Sequence, residues 1–373
     1  METSGRILFV DDDPRVLEGL RNLLRRHART WDLSFAVGGG AALEMLDRQM
    51  FDVVVSDMTM PYVDGVAVLK YTHATHPETV RIGLSSESGE DLALRAATVA
   101  HQSLTKPLTP DELERTLHRA LKLRALIADP IMRAAIGGLS ELPALPQTYS
   151  RLMAVLDDPR SGMLDVARIV EGDVAATAQI LHLVNSAFFG FGHPVKTILQ
   201  AVQLLGVDLV KGLVLSTSFV SGSMTPEMSR ACEELQTHSV QVAHVASSIA
   251  KPAWRRDALT AGLLHDIGWL VQIHCGPRTV LKTMGRRFST LAAEPEDGGL
   301  HAALGAYLLG LWGLSLDVID AVAMHHHPVT EANTSPIAMV LRRAELGLRR
   351  ALAEKTPFLR ERAIALAADP NMG

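Results

Sequence analysis

The first 120 residues alternate short apolar runs with stretches of helical period. "RILFV" (6–10), "LSFAV" (33–37), "DVVVSD" (52–57), "RIGLSS" (81–86) and "HQSLTK" (101–106) read as strands. Helical patterns separate them. "PRVLEGLRNLLRRH", for example, sets Val16, Leu20, Leu23 and Leu24 on one face. Strands alternating with helices predict a parallel sheet covered on both sides, and the apolar "DVVV" suits a central strand. After Pro107 the strand signal stops. "TPDELERTLHRALKLRALIADP" opens with a threonine cap, a proline in the first turn and acids behind it, which predicts a helix from 109 to 125. Paired glycines and two prolines in "IGGLSELPALP" (136–146) then break the pattern and mark a domain boundary.

From Gln147 onward the pattern is helical almost throughout. Tyr149, Leu152, Met153 and Leu156 follow one helical face, as do Val174, Ala178 and Leu181. "TILQAVQLLG" ends in a glycine stop. The longest uncharged stretch, "GGLHAALGAYLLGLWGLSL" (298–316), approaches a membrane span in length. Its glycines, His301 and lack of a cationic flank read instead as a buried helix pair. The second half is therefore expected to be a compact all-α domain.

Composition narrows the class. The 373 residues are 47% hydrophobic and 21% charged, an ordinary globular balance with room for two or three domains. A net charge of −5 argues against a general nucleic-acid-coating surface. The only two cysteines, Cys232 and Cys275, fit a reducing cytoplasm, and no secretory leader is visible.

Candidate chemistry gathers at the predicted strand ends. Asp11 and Asp12 end the first strand, Asp57 the third, Ser85 the fourth and Lys106 the fifth. In a parallel sheet these ends open onto one edge, where ligands bind. Clustered carboxylates repel one another unless a hard cation such as Mg²⁺ joins them. A carboxylate beside Mg²⁺ can attack a phosphoryl group while the metal and Lys106 screen the developing charge. The bland reading of "VDDDP" alone is a solvated helix cap. With "VDDDP", "D-x-x-M-P-x-x-D-G" (57–65) and "TKP" (105–107) together, residues 5–125 resemble the receiver domains of two-component response regulators. That resemblance implies phosphorylation of Asp57 by a sensor histidine kinase or phosphotransfer protein. It implies Mg²⁺ held by Asp11, Asp12, Asp57 and the Thr59 carbonyl, with Ser85 and Lys106 answering the phosphoryl group. His101, five residues before Lys106, is taken as the aromatic-switch position, which puts an imidazole where the family has an aromatic ring; the competing reading is an exposed strand residue.

In the helical half, His238, His265, Asp266, His301, His325 and His326 are spread over several helices. Singly, each is ordinarily a core or surface residue. Together, imidazoles and a carboxylate can hold iron, manganese or zinc, and a bound metal can activate water against a phosphodiester. "LPALP", "LVNSAFFG", "I-x-x-A-V-x-x-L-G" (198–206), "AGLLHDIGWL", "HAALGAYLLGLW" and "AVAMHHHP" resemble HDOD domains, relatives of the HD and HD-GYP phosphohydrolases, over 139–350. The resemblance makes those six residues a vestigial HD metal site, and Asn185 and Ser186 structural anchors. "HHHP" stands where the cyclic-dinucleotide hydrolases carry an acid and a downstream G-Y-P. No aspartate falls in "MVLRRAELG" to complete the site; Glu345 is the one substitute, and Arg342 and Arg343 would oppose a second cation. Arg342, Arg343, Arg349 and Arg350 read as one solvated basic face.

The expected architecture is a flavodoxin-like α/β receiver with a five-stranded, doubly wound parallel sheet (1–125), a linker (126–138), an HD-related all-α HDOD domain (139–350) and a helical tail (351–373). The expected role is a cytoplasmic response regulator whose output binds an as yet unnamed protein. A metal-dependent HD phosphodiesterase is the alternative, and a nucleotide ligand is a further candidate. Membrane and nucleic-acid partners are not expected.

Overall fold

A computed structural model describes residues 4–85, 99–124, 127, 129–139, 148, 151–152, 155, 161–185, 194–207, 210, 225–275, 299–327, 335–354 and 358–369. It divides into two compact units, one built mainly from Met1–Ser140 and the other mainly from Glu141–Val184, Pro194–Leu309 and Leu314–Gly373.

In the first unit, β1 (Gly5–Asp11), β2 (Trp31–Val37), β3 (Val53–Asp57), β4 (Val80–Ser85) and β5 (Gln102–Thr105) form one sheet. All pairs are parallel and the order is β2-β1-β3-β4-β5. The chain therefore reverses its direction of winding after β2, and β1 and β3 lie at the switch point where a doubly wound sheet opens a crevice. Every residue of β3 is buried, as the apolar "DVVV" requires of a strand covered on both faces. Among the described residues the unit's helices are α1 (Pro14–Leu23), α2 (Gly39–Arg48), α3 (Gly65–Thr75), α4 (Pro110–Arg124) and α5 (Pro130–Gly137).

The inward face of α1 differs from the expected one. Leu17, Leu20 and, in the following 3₁₀ turn, Leu24 are buried, whereas Val16 is exposed. Both sets have helical spacing, and the rotation of the helix is settled by its packing against β1 and β2.

The second unit is helical among its described residues. It contains α6 (Met163–Glu171), α7 (Val174–Val184), α8 (Ile198–Leu205), α9 (Pro226–Ile249), α10 (Arg255–Leu264) and α11 (Gly268–Cys275). They are followed by α12 (Leu300–Leu311), α13 (Leu316–Met324), α14 (Pro336–Ala353) and α15 (Leu359–Ala368). Val174, Ala178 and Leu181 are buried, and α8 stops at Gly206 with a left-handed φ of 78°. The uncharged stretch is not the expected helix pair: it is one helix, α12, followed by a turn at Gly313 (φ 75°), and only its last residue, Leu316, belongs to α13; α12 is buried over most of its length. No helix among the described residues is long and apolar enough to cross a membrane. "LPALP", Ser186 and most of the predicted helix at 147–158 lie outside the described residues.

The arginines of α14 do not form a free basic face. Arg343 donates to the carbonyls of Ala367 and Asp369 (both 2.8 Å), Arg349 bonds the Glu345 carboxylate, and Arg342 bonds the His327 carbonyl. Only Arg350 of the four is exposed. Main-chain carbonyls left open at neighbouring helix ends draw the Arg342 and Arg343 guanidinium groups.

Candidate functional site: an acidic pocket and a histidine–aspartate cluster

The C-terminal ends of β1 and β3 bring Asp11, Asp12 and Asp57 together, with one carboxylate oxygen from each within 4.8 Å of the others. Asp11 and Asp57 are buried and Asp12 is exposed. The third acid of "VDDDP" has a different task. Asp13 caps α1, accepting from the Arg15 N–H at 2.9 Å; the Arg15 guanidinium, which donates to the same carboxylate at 2.7 Å, and next the cap bond hold its carboxyl below the usual range. The cap reading and the cluster reading of this motif therefore both hold, on different residues.

Lys106, just past β5, reaches across the edge. Its Nζ lies 2.8 Å from Asp57 Oδ1 and 2.9 Å from Asp11 Oδ2. Burial works against the Lys106 ammonium, but its bonds to Asp57 and Asp11 outweigh it and hold its pKa above the ordinary value. The Asp57 carboxyl is raised above the usual range, first by burial; Lys106 opposes the shift, and the charges of Asp11 and Asp12 add to it. Three carboxylates face one ammonium, which leaves two negative charges for a divalent cation. Oxygens already within 4.8 Å need little movement to reach the roughly 4.2 Å that spans a Mg²⁺ octahedron. The residues fit Mg²⁺.

Close packing fixes the pocket. α3 starts at Gly65, where a Cβ would stand 2.0 Å from the Asp57 carbonyl, so only glycine lets that helix approach the acceptor strand. Asp64 caps the same helix by accepting from the Ala67 N–H at 2.8 Å. This accounts for the D-G of the motif at 57–65. Thr59 lies exposed in the loop between β3 and α3. Ser85 ends β4, and its carbonyl accepts from the Lys106 N–H at 2.8 Å, which ties β4 to the lysine.

His101 is not part of this pocket. It precedes β5, pairs with Arg81 at the start of β4, and is buried. At about 3.3 Å of rise per residue, five residues set it roughly 16 Å from Lys106, at the opposite edge of the sheet. The expectation that it faces the phosphoryl group is corrected on that ground, as is the competing one that it is exposed.

In the second unit α9 supplies His238, the end of α10 supplies His265 and Asp266, the start of α12 supplies His301, and the end of α13 supplies His325 and His326. They form two ligand groups that share Asp266. One is His238, His265 and Asp266; the other is Asp266, His301, His325 and His326. His265 Nε2 lies 3.3 Å from Asp266 Oδ2, and His301 Nε2 lies 3.3 Å from Asp266 Oδ1. Trp269 stacks on His301 with ring centroids 4.8 Å apart.

Tautomers decide what this cluster can do. His265 Nδ1 lies 2.8 Å from the Gly262 carbonyl, and His325 Nδ1 lies 2.6 Å from that of Val322. A carbonyl only accepts, so both Nδ1 atoms carry hydrogen, and a ring in its neutral form turns its Nε2 lone pair toward Asp266. Burial, and next the charge of His326, push His325 well below its ordinary pKa and keep it neutral. Lone pairs aimed at a buried carboxylate repel it, and a cation between them removes the repulsion. A backbone carbonyl that fixes the distal ring N–H is also the usual outer support of a metal-bound histidine. The cluster fits a transition metal with nitrogen and oxygen ligands.

Glu345 does not join either ligand group among the described residues. Its buried carboxylate is bonded by Arg349, although its charge still acts on His325. Asn185 is half-buried at the end of α7. The thiol of buried Cys232 is pushed up to about 12 by burial, which makes it unreactive.

A doubly wound sheet with an acid cluster and lysine at its switch-point edge, followed by a helical unit with an HD-type cluster, defines a response regulator with an HD-related output. Comparison with known proteins agrees. The HDOD domain model matches residues 142–328 and the response regulator receiver domain model matches residues 7–118, so the chain belongs to the HDOD family and carries a receiver domain ahead of it. An uncharacterized protein of Treponema pallidum is 25% identical over 280 residues, covering 72% of this chain and 52% of that one. The transcriptional regulatory protein ZraR of Escherichia coli is 30% identical over 194 residues, covering 48% and 44%. The MmoQ response regulator of Methylococcus capsulatus is similar at 22% identity and a TM-score of 0.47, over 62% of this chain and 95% of that one. The chain spans about half the length of the curated relatives it matches.

Proposed function

We propose that a sensor histidine kinase or phosphotransfer protein phosphorylates Asp57 with Mg²⁺ held by Asp11, Asp12, Asp57 and the Thr59 carbonyl, and that the HDOD unit answers by docking another protein. The observation that carries the proposal is the Lys106 ammonium bridging Asp57 and Asp11 beside an unbalanced carboxylate cluster. Asp57 Oδ acts as nucleophile on the phosphorus of the donor's phosphohistidine; the O–P bond forms as the N–P bond breaks, and the donor imidazole leaves. Mg²⁺ supplies charge neutralisation for the incoming phosphoryl oxygens. Lys106 is placed to exchange its Asp57 contact for one to the phosphoryl group, and Ser85, tied to Lys106 through the main chain, to follow it.

Docking rather than hydrolysis is supported by the closure of the second cluster. His265, Asp266, His301 and His325 are no more than 1% exposed and His238 is 6% exposed, so a phosphodiester meets few of the ligands directly. Among the described residues no further acid joins the cluster, which points the same way. A second reading, an HD-type phosphodiesterase, is favoured by the fixed lone-pair arrangement. In it His238, His265, Asp266, His301, His325 and His326 hold a transition metal that supplies a Lewis acid for water activation.

Incubation with a small phosphodonor and Mg²⁺ tests the first step. The wild type gains one phosphoryl group per chain and Asp57→Ala gains none. Equal labelling of both refutes the assignment.

A further inference from the structure

Helix α5 follows the receiver sheet and precedes the HDOD unit in sequence. Its C-terminal carbonyl, that of Gly137, is the meeting point of two buried side chains. Arg81 Nη2 lies 2.7 Å from the Gly137 oxygen and His101 Nε2 lies 3.0 Å from it. Arg81 Nη2 and His101 Nε2 also lie 2.8 Å from each other. Arg81 is 2% exposed and His101 is 3% exposed.

The ring of His101 is fixed in one state. Its Nδ1 accepts from the Arg81 main-chain N–H at 3.1 Å, so in the neutral ring Nε2 carries the hydrogen and donates to Gly137. The rest of the Arg81 guanidinium is spent on carbonyls. Nε donates to Val99 O at 2.7 Å, and Nη1 to Pro77 O and Thr79 O, both at 3.3 Å. A buried guanidinium is costly unless its donors are used, and the fork reaches several carbonyls at once where a lysine could not. Gly137 itself sits so close to the α3–β4 loop that a Cβ would stand 2.1 Å from Pro77 O. A second brace lies at the end of α4, where Arg124 donates to Glu78 O at 2.9 Å and pairs with Asp52 at 2.8 Å.

We propose that Arg81 and His101 form a latch that holds α5 on the receiver unit, and that phosphorylation of Asp57 loosens it through the strands that carry the pair. β4 begins beside Arg81 and ends at Ser85; β5 begins after His101 and ends before Lys106. A shift of Ser85 or Lys106 at one edge of the sheet is thus carried by two short strands to the latch at the other edge. The second part rests on the phosphoacceptor reading of Asp57; the latch itself does not.

Amide exchange of residues 131–138 in the full chain tests both parts. With the lost bonds to Gly137, Arg81→Ala and His101→Phe each exchange there about tenfold faster than wild type. Gly137→Ala, which keeps both side chains and lifts the helix end, does the same. Continued slow exchange at strand β3 shows that the variant is folded; if Arg81→Ala is not, the other two variants decide. Wild-type rates at 131–138 in folded variants overturn the latch. For the coupling, wild type labelled by phosphodonor exchanges faster at 131–138 than unlabelled protein. Full labelling with unchanged exchange overturns the coupling. Failure to label at all overturns the phosphoacceptor reading and with it the coupling, and leaves the latch to the variants.

Discussion

The Lys106 ammonium lies 2.8 Å from Asp57 Oδ1, beside the carboxylate cluster of Asp11, Asp12 and Asp57. Asp57 is held above the usual carboxylate range by burial and then by Asp11 and Asp12, with Lys106 the opposing influence. The nucleophile is the ionised form, so labelling is expected to fall off on the acid side at a pH above the usual aspartate value. In Lys106→Met the acid limb moves to still higher pH, and the rate of labelling against pH measures it. An acid limb unmoved by the substitution contradicts this arrangement.

The same shift affects stability. A carboxyl whose folded pKa is raised contributes stability below its unfolded pKa and loses it as pH rises through the folded value. At neutral pH without Mg²⁺, ionised Asp57 is therefore a burden on the fold. Asp57→Asn should unfold at a higher temperature than wild type in chelator, and Mg²⁺ should raise the wild type more than the variant. Calorimetry with and without Mg²⁺ reads both differences.

Asp13 and its neighbours separate by their tasks. Asp13→Ala removes the cap of α1 and should cost about 1 kcal/mol of stability while leaving Mg²⁺-dependent labelling intact. Asp11→Ala should abolish the Mg²⁺ dependence. Denaturant unfolding and labelling, run on both variants, distinguish a cap from a ligand.

The histidine–aspartate cluster should bind a transition metal in the purified full chain, and His265→Ala and Asp266→Ala should lose it. Elemental analysis gives the content, and a fall in unfolding temperature on chelation gives its structural weight. Against cyclic dinucleotides and generic phosphodiesters the loaded protein should show little turnover. Rapid hydrolysis that disappears in His265→Ala would establish the phosphodiesterase reading instead.

Much of this was legible in the residues. The five strands fall where alternation and apolar runs put them, because a parallel sheet demands buried strands and the intervening helices punctuate them. Asp11, Asp57 and Lys106 meet because each ends a strand of that sheet. The histidines of the second unit come together although they are far apart in sequence, a convergence that only the family pattern foretold. What spacing could not supply was depth and direction. Val16 and Leu17 are both apolar, and packing alone chose Leu17. Counting back from Lys106 reached His101 but not the edge of the sheet on which it lies. Glu345 has the right chemistry for a ligand, yet Arg349 one turn later claims its carboxylate.

The central claim is that charge arriving at Asp57 is read out by the helical unit that follows the receiver in sequence. Amide exchange across α9, α10, α13 and α14, recorded before and after labelling with phosphodonor, addresses it most directly. Labelled wild type should change its exchange in these helices while Asp57→Ala, treated alike, does not. Complete labelling with changes confined to residues 5–124 would contradict the account.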